Sequence, residues 1–352
     1  MKNRKREICT SGSVRDEDGQ PPHLLGHRRQ FLHLAAGAAA LPAVSRFAWA
    51  QAYPTRPIRL VIPFPPGGGY DAVGRPWADK MKMMLGSVIV ENMGGGGSSL
   101  GAAAVARARP DGYTLLLGGS IPHVTESILK TRPLYDPIKD LEPISNIAVS
   151  AFAIAVHPSV PARTLTELVD YAKANPGKLS YASPGIGTLP HLTVELLKSL
   201  AETPDITHVP YRGAGPALTD LISGQVLMFS ASVTGQVLEF HRSKKLRVLA
   251  VTSAARLMAA PELPTVGEMG FPNLKAPHFV GLLAPARTPS AIVEQIAQAT
   301  RTALAERAYQ QFLIDGCFEP DVDSNSDKFR RLLEEDVARW TPVVKALGLK
   351  ID

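Results

Sequence analysis

The sequence predicts an α/β protein made of two successive lobes. Its 352 residues are enough for two average domains. Short apolar runs alternate with amphipathic stretches from Ile58 onward, and the same alternation starts again at Ala151. Three of the strand–helix junctions are rich in glycine. Because such alternation is typical of mostly parallel sheets covered by helices on both faces, each lobe is expected to hold one such sheet.

The elements follow in a regular order. The first series is strand 59–64, helix 71–85, strand 88–91, helix 100–109 and strand 114–117. The second series is strand 151–156, helix 166–174, strand 179–182, helix 190–200, strand 207–209, helix 214–223, strand 227–229 and strand 247–252. Thr164 and Glu167 form a capping box before the first helix of the second series. Helices at 290–306 and 326–347 form the C-terminal tail.

This order assigns the lobes. The first lobe is expected at residues 53–150 plus about 275–352, because the tail most simply returns to it. The second lobe is expected at residues 151–274, with the return crossing between 250 and 280. A cleft between the lobes is the expected ligand site.

Charge and cysteine content argue against two classes of function. Residues 1–50 hold eight basic and four acidic residues, so the rest of the chain is nearly balanced at 30 basic and 28 acidic. The net charge of +6 is therefore weak support for nucleic-acid binding. Cys9 lies in the N-terminal segment, which leaves Cys317 without an intrachain partner. Cys317 is expected to pack as a small apolar side chain rather than act as a nucleophile.

The N-terminal segment resembles an export signal. Arg28 and Arg29 precede an apolar run over 34–44, and Ala-Trp-Ala at 48–50 resembles a cleavage site. The run is about half of the ~20 residues that a membrane-spanning helix needs. The paired arginines favour the twin-arginine route, and an ordinary Sec signal with two chance arginines is the alternative. We expect cleavage near Ala50 and a periplasmic mature protein.

Residues 63–71, PFPPGGGYD, form the first glycine-rich junction. Glycines let the backbone approach a ligand closely, and the free N–H groups of a helix start attract anions. The spacing Gly-x-Gly-x-x-Ala at 67–72, with Glu91 ending the next strand, also satisfies a dinucleotide fingerprint. Two features argue against a nucleotide: prolines at 65–66 stiffen the turn, and Asp71 would lie beside the pyrophosphate. No Gly-Lys-Ser/Thr follows, so this is not a Walker loop.

Two further junctions lie in the second series. YASPGIGTLPH at 181–191 supplies hydroxyl groups and a helix start, although an ordinary β–α turn with an N-cap has the same pattern. His191 suits a ligand carboxylate or a structural role equally well. HVPYRGAGPALTDLISGQV at 208–226 places Tyr211 after a strand, where its ring could line the cleft. Helix starts that point into one cleft from both lobes suit an anionic ligand without requiring a basic side chain.

These residues resemble a known family, the substrate-binding proteins of tripartite tricarboxylate transporters, also called Bug-type proteins. The resemblance runs from Tyr53 to the C-terminus, and its motifs keep the family's order. It rests on the following segments: YPTRPIRLVIPFPPGGGYD at 53–71, VIVENMGGGGSSLGAAAVARARPDGYTLLLG at 88–118, RPLYDPIKDLEPIS at 132–145, HPSVPARTLTELVDYAKANPGKLSYASPGIGT at 157–188 and HVPYRGAGPALTDLISGQV at 208–226.

The resemblance implies a two-lobed periplasmic binding fold of type II-like architecture, a small organic acid ligand and a permease of two integral-membrane subunits. It implies that backbone amides, ordered waters and polar side chains hold the ligand's carboxyl group. No cofactor or metal is implied, and a monomer is expected. Carried onto this chain, the ligand-binding positions are Phe64, Gly67, Gly68, Gly69, Asp71, Ser120, Ser183, Gly185, Thr188, His191 and Tyr211.

Some positions depart from the family pattern. Tyr70 stands where Thr or Ser is common, which narrows the pocket or adds an aromatic contact. Ser120 is followed by Ile-Pro-His rather than by small or polar residues. The Ser230 region replaces an acidic residue. That replacement favours plain carboxylates or neutral aromatic acids over amino acids.

Two other interpretations stay open. An exported enzyme is disfavoured, because the string nearest to Gly-x-Ser-x-Gly, at 118–122, ends in proline, and no His-Glu-x-x-His or paired-cysteine metal motif is present. A binding subunit that feeds a two-component receptor would have the same sequence features as a transport protein. For either binding role, the expected mechanism is hinged closure around the ligand.

Overall fold

The computed structural model describes residues 53–351. From Tyr53 onward the chain forms one compact unit. The expected signal segment, its cleavage site and Cys9 lie outside the described residues. Within residues 53–351 no helix is both long enough and apolar enough to cross a membrane.

The first three strands are parallel and lie in the order β2-β1-β3. They are β1 (Ile58–Ile62), β2 (Val88–Asn92) and β3 (Thr114–Gly119), joined by helices α1 (Gly69–Met81) and α2 (Ser99–Ala106). Four of the five β1 side chains are completely buried, as expected for a parallel strand covered on both faces. Each β–α junction therefore opens at the same edge of the sheet.

A single long strand, β4 (Leu141–Val156), links the two series of elements. The sequence predicts only its last six residues as a strand, because Pro143 and several polar residues interrupt the apolar pattern before them. Three of these polar residues, Ser145, Asn146 and Ser150, are nevertheless buried. The Asn146 amide N–H donates to Ser324 Oγ (2.8 Å), and its side chain donates to Asp321 (2.9 Å).

The second series repeats the parallel arrangement in the order β7-β5-β6. Its strands are β5 (Ser180–Ser183), β6 (Thr207–Pro210) and β7 (Met228–Ser232), and its helices are α4 (Leu165–Ala174), α5 (Leu189–Ala201), α6 (Ala214–Ile222) and α7 (Gly235–Arg242). The predicted cap of α4 is confirmed, because Thr164 Oγ1 accepts the Glu167 N–H at 3.1 Å. Helix α7 was not predicted.

The remaining strands make the sheet mixed rather than mostly parallel. The full order is β2-β1-β3-β9-β4-β7-β5-β6. β9 (Pro277–Pro285) runs antiparallel to both β3 and β4, while β8 (Arg247–Val251) and β10 (Glu319–Pro320) pair antiparallel with β4. The predicted parallel pattern holds at both ends of the sheet. It fails in the centre, where β9 brings the chain back alongside β4.

The C-terminal tail packs on the first series of strands. It contains α8 (Ser290–Leu304), α9 (Arg307–Asp315) and α10 (Ser326–Leu347), of which α8 and α10 match the predicted helices. Trp340 of α10 shares a core with Ile62, and Phe329 shares another with Val61. The Trp77 indole N–H of α1 donates to Thr300 of α8 at 3.1 Å. The tail thus packs against the first series of elements, and the predicted lobe boundary at 150–151 falls inside β4.

Candidate functional site

Loops from both series of elements meet around one cavity of about 320 Å³. Three predicted site residues line it, namely Phe64 after β1, Gly185 after β5 and Tyr211 after β6. The other lining residues are Pro65, Gly95, Gly96, Gly97, Ser98, Lys130, Pro184, Ile186, Pro210, Arg212 and Ile351. Because the wall combines junctions from the two series, a ligand in this cavity would touch both.

The opposing loops are in direct contact. A Cβ atom built on Gly97 would lie 2.7 Å from the Ile186 carbonyl oxygen, so only glycine allows this approach. A Cβ atom on Gly213 would lie 3.2 Å from the Pro65 ring. Thr125 Oγ1 donates to the Gly187 carbonyl at 2.8 Å. Backbone and small side chains thus form the meeting surface.

The first glycine loop is held in place by Asp71. One carboxylate oxygen accepts the Gly67 N–H at 3.0 Å, and the other accepts Arg75 Nε at 2.8 Å. Asn92 donates to both Asp71 and the Phe64 carbonyl. Asp71 is predicted as a ligand-binding residue, and its oxygens already bond the loop and its neighbours. Its geometry therefore assigns it to shaping the loop.

Helix α1 begins directly after the first glycine loop. Gly68 caps the helix without a side-chain hydrogen bond, so the N–H groups at the helix start have no partner within the helix. Amides in this position bind anions. A Cβ atom on Gly69 would lie 2.8 Å from the Ser232 side chain, so the helix start packs closely against the end of β7. None of the predicted glycines at 67–69 lines the cavity, and the first loop contributes Phe64 and Pro65 to its wall instead.

The side chains of the second glycine loop bond to their own backbone. Thr188 Oγ1 donates to the Gly185 carbonyl at 2.8 Å, and Ser183 Oγ also lies within hydrogen-bond distance of that carbonyl. The Gly187 N–H donates to His191 Nδ1 at 3.1 Å. Gly185 has a φ of +150°, which side chains rarely adopt. Ser183, Thr188 and His191, all predicted to meet the ligand, are not among the residues that line the cavity, and they bond to the backbone of the loop instead.

A pair of stacked histidines supports this loop from below. The ring centroids of His191 and His208 are 4.2 Å apart, and Tyr181 stacks on His208 at 4.6 Å. His208 Nε2 lies 2.7 Å from Ser183 Oγ. Burial lowers the pKa of His191 to about 4 and that of His208 to about 3, so both rings are neutral at pH 7. The neutral state leaves His191 Nδ1 free to accept the Gly187 N–H.

Tyr211 lines the cavity with its ring and keeps its hydroxyl elsewhere. The hydroxyl donates to Asp220 of α6 at 2.6 Å, and the Tyr211 N–H donates to the Ser183 carbonyl at 3.0 Å. Burial, followed by the hydrogen bond to Asp220, raises the pKa of Tyr211 to about 12. The predicted role as a wall is consistent with this geometry.

Ser120 lies deeper than the cavity wall. It is completely buried at the start of α3 (Ser120–Val124), and its hydroxyl has no hydrogen-bond partner among residues 53–351. Tyr70 lies beside it. The Tyr70 ring stacks on Phe64 with ring centroids 5.0 Å apart and meets the His278 ring edge-on at a centroid distance of 5.5 Å. Tyr70 thus fills the space behind the first loop.

Sequence reasoning missed the loop after β2 and two basic residues. The glycines at 95–97 line the cavity, although none of them is among the predicted site residues. Ser98, next to them, has a left-handed backbone with a φ of 96°. Lys130 and Arg212 also line the cavity, whereas no acidic side chain of the described residues does. The run of glycines between a strand and a helix was the available signal.

The residues that could support nucleotide binding or nucleophilic catalysis are paired or buried. Glu91, the acidic position of the dinucleotide pattern, is paired with Arg59. Cys317 is buried, as expected, and burial raises the pKa of its thiol to about 11. Within the described part of the chain, no group of three or more His, Cys, Asp or Glu residues could hold a metal ion.

Comparison with known proteins identifies the family. The model of the tripartite tricarboxylate transporter family receptor matches residues 73–349. This chain belongs to that family. A relative from Bordetella pertussis, a UPF0065 protein, is 37% identical over 326 residues, which cover 91% of this chain and 98% of the relative. The protein BugT of the same organism is 33% identical over 306 residues, which cover 86% of this chain and 92% of BugT.

Solved structures of family receptors confirm the predicted fold class. The periplasmic binding protein BugD has a TM-score of 0.79 at 32% identity, covering 85% of this chain and 99% of BugD. MatC from Rhodopseudomonas palustris, solved with bound malate, has a TM-score of 0.78 at 30% identity, covering 83% of this chain and 100% of MatC. The chain is a solute-binding receptor of this family.

Proposed function

We propose that this receptor binds a small organic carboxylate in the cavity between its glycine loops and delivers it to a membrane permease. The observation that carries the proposal is the composition of the cavity wall. Among the described residues, that wall combines backbone glycines and two cations without any acidic side chain. Such a wall favours an anion. The bound malate of MatC supports the carboxylate class.

The carboxyl group is expected to reach the amides at the start of α1, which follow the cavity-lining Phe64 and Pro65 in the chain. The N-cap, Gly68, leaves these amides without a side-chain partner. Charge-assisted hydrogen bonds of this kind contribute roughly 1.5–3 kcal/mol each. Their geometry is set in advance by Asp71, which bonds the Gly67 N–H. Because the loop does not reorganise, little of the binding free energy is spent on ordering it.

Binding is expected to stabilise a closed arrangement of the loops. Gly97 meets Ile186 and Gly213 meets Pro65, so each pair joins the two series of elements. A ligand that contacts both sides binds the closed state more tightly than the open one. It can shift the equilibrium only by that difference in affinity. The permease would recognise the closed shape.

The cellular setting is part of the same proposal. The Arg28–Arg29 signal pattern, with cleavage near Ala50, would deliver the receptor to the periplasm as a monomer. A permease of two integral-membrane subunits is the expected partner of a receptor in this family. A role as the sensing subunit of a two-component receptor is the alternative, and the genes beside this one would distinguish the two.

We infer that the receptor does not catalyse a reaction on its ligand. The 2.7 Å contact between Ser183 Oγ and His208 Nε2 has the geometry of a nucleophile and base. A pKa of about 3 makes His208 a weak base at pH 7, however. Ser183 is also completely buried. Both features suit a structural hydrogen bond.

A thermal-shift screen of the chain from Gln51 to Asp352 tests the proposal. The ligands are di- and tricarboxylates, aromatic acids, amino acids and nicotinamide cofactors. A ligand at about 100 times its Kd should stabilise the protein by about 2.7 kcal/mol. We expect a shift with one carboxylate class and none with the cofactors. A shift with a nicotinamide cofactor alone would overturn the proposal.

A further inference from the structure

Arg212 is an exposed cation on the wall of the ligand cavity. It also lines an adjoining cavity of about 590 Å³, where it is the sole charged side chain among the described residues. The two cavities share Pro65, Gly95, Gly96 and Arg212, so Arg212 lies at their junction. The Arg212 side chain makes no ion pair or hydrogen bond with any residue in 53–351.

The backbone that carries Arg212 is fixed on both sides. The preceding residue, Tyr211, bonds the Ser183 carbonyl through its N–H and Asp220 through its hydroxyl. The following residue, Gly213, packs against Pro65 of the first glycine loop. The guanidinium therefore starts from a defined point between the two glycine loops.

Among residues 53–351, the cavity wall offers Arg212 no acidic partner. The other charged lining residue within that range is Lys130, which has the same sign. The facing loop at 95–97 offers backbone groups alone. A cation lining a cavity without acidic residues raises the local concentration of anions and disfavours ligands with an ammonium group. A guanidinium also matches the planar fork of a carboxylate.

A monocarboxylate and a dicarboxylate would use this wall differently. The amides at the start of α1 can satisfy one carboxylate without a basic side chain. A second carboxylate in the cavity would lose its hydration and needs a charged partner in return. We propose that Arg212 binds the second carboxylate, which makes the receptor selective for dicarboxylates. This inference rests on the proposed function and names the substrate class within it.

Matched pairs of acids test the inference by calorimetric titration. Succinate is compared with butyrate, and adipate with hexanoate, on the wild-type chain and on Arg212→Gln. We expect Arg212→Gln to weaken the dicarboxylates about 10- to 100-fold and to change the monocarboxylates less than about threefold. Arg212→Lys should give an intermediate loss of dicarboxylate affinity, because lysine keeps the positive charge but lacks the planar, two-donor geometry of the guanidinium.

Arg163→Gln is the matched control. Arg163 is exposed on the segment before α4 and lines neither cavity. Its replacement by glutamine removes the same charge as Arg212→Gln does. It should leave all four affinities unchanged, and all variants should keep the wild-type melting temperature.

The outcomes separate this inference from the proposed function. Equal losses for mono- and dicarboxylates, or no loss at all in Arg212→Gln, would overturn the role of Arg212. A wild-type chain that binds monocarboxylates alone would also overturn the dicarboxylate assignment while leaving the proposed function intact. A wild-type chain that binds no carboxylate would overturn both.

Discussion

The two glycine loops that face each other across the cavity are held in different ways. The loop after β1 is fixed by the charge of Asp71, which bonds the Gly67 N–H and pairs with a half-exposed Arg75. The loop after β5 is fixed by neutral, mostly buried groups, with His191 accepting the Gly187 N–H and His208 beside Ser183. The first loop lines the cavity with Phe64 and Pro65, and the second lines it with Pro184, Gly185 and Ile186. They should differ in their response to pH and to substitution.

The contact between the loops should be the most sensitive feature. Gly97→Ala places a Cβ atom 2.7 Å from the Ile186 carbonyl, at a φ of +67°. Because the clash exists where the loops meet, we expect ligand affinity to fall about 100-fold, or roughly 2.7 kcal/mol. Titration calorimetry measures the loss.

Gly96→Ala is the control for this substitution. Gly96 has a similar φ of +60°, and its Cβ atom would meet only its neighbours Ser99, at 3.5 Å, and Leu100, at 3.9 Å. It should carry the backbone strain without the clash. Equal losses in the two variants would show that strain within the loop, rather than contact between loops, controls binding.

Acid should weaken the loop after β5 through its histidines. Burial lowers the pKa of His191 to about 4, below the unfolded value of about 6.5. The unfolded chain therefore takes up a proton first. The contribution of this histidine to stability is complete above a pH of about 6.5 and is lost as pH falls towards the folded pKa.

The variant His191→Gln isolates this contribution. Glutamine retains an acceptor for the Gly187 N–H and does not titrate. Between pH values of about 7 and about 5.5 the wild type should lose about 1 kcal/mol more unfolding free energy than the variant, measured by urea titration. Parallel losses in both proteins would mean that His191 is not held neutral by the fold.

Removing the hydrogen bond between His208 and Ser183 should have a smaller effect, which we expect on ligand affinity. His208→Phe keeps the stack with His191 and removes the partner of Ser183. One neutral hydrogen bond contributes about 1 kcal/mol. We therefore expect a several-fold loss of ligand affinity by calorimetry. His208→Gln, which can restore a donor, should recover part of it, and no recovery would favour a packing role alone.

Removing the ion pair between Asp71 and Arg75 should have the smallest effect on stability. Arg75 is half-exposed, so solvent screens its ion pair with Asp71. Asp71→Asn keeps the size and one acceptor, and we expect a loss below about 1 kcal/mol in thermal unfolding. Asp79→Asn, which removes an exposed partner of Lys82, is the control. A large loss of affinity in Asp71→Asn would instead indicate direct ligand contact.

Much of the fold could be predicted from the sequence, since the parallel strands and their helices have clear periodicity. The first ten residues of β4 could not. Among them, Asn146 is paired with Ser324 and Asp321, which lie 178 and 175 residues away in the chain. Local patterns do not report such distant partners. β9 was missed as well, although only its first four residues, 277–280, fall inside the region assigned to the return crossing.

The site was predicted in outline and not in the roles of its side chains. Glycines and helix starts are visible as local motifs. His208 acts through its position opposite Tyr181 in the paired strands β5 and β6, which only the register reveals. Arg212 was overlooked because backbone amides alone could account for binding one carboxylate.

Small-angle X-ray scattering tests the central claim that both sets of loops close on a carboxylate. The chain from Gln51 to Asp352 is measured with and without a saturating carboxylate identified by the thermal-shift screen. The radius of gyration should decrease on binding in the wild type and decrease less in Gly97→Ala at equal saturation. An unchanged radius in the wild type with the carboxylate bound would contradict the claim.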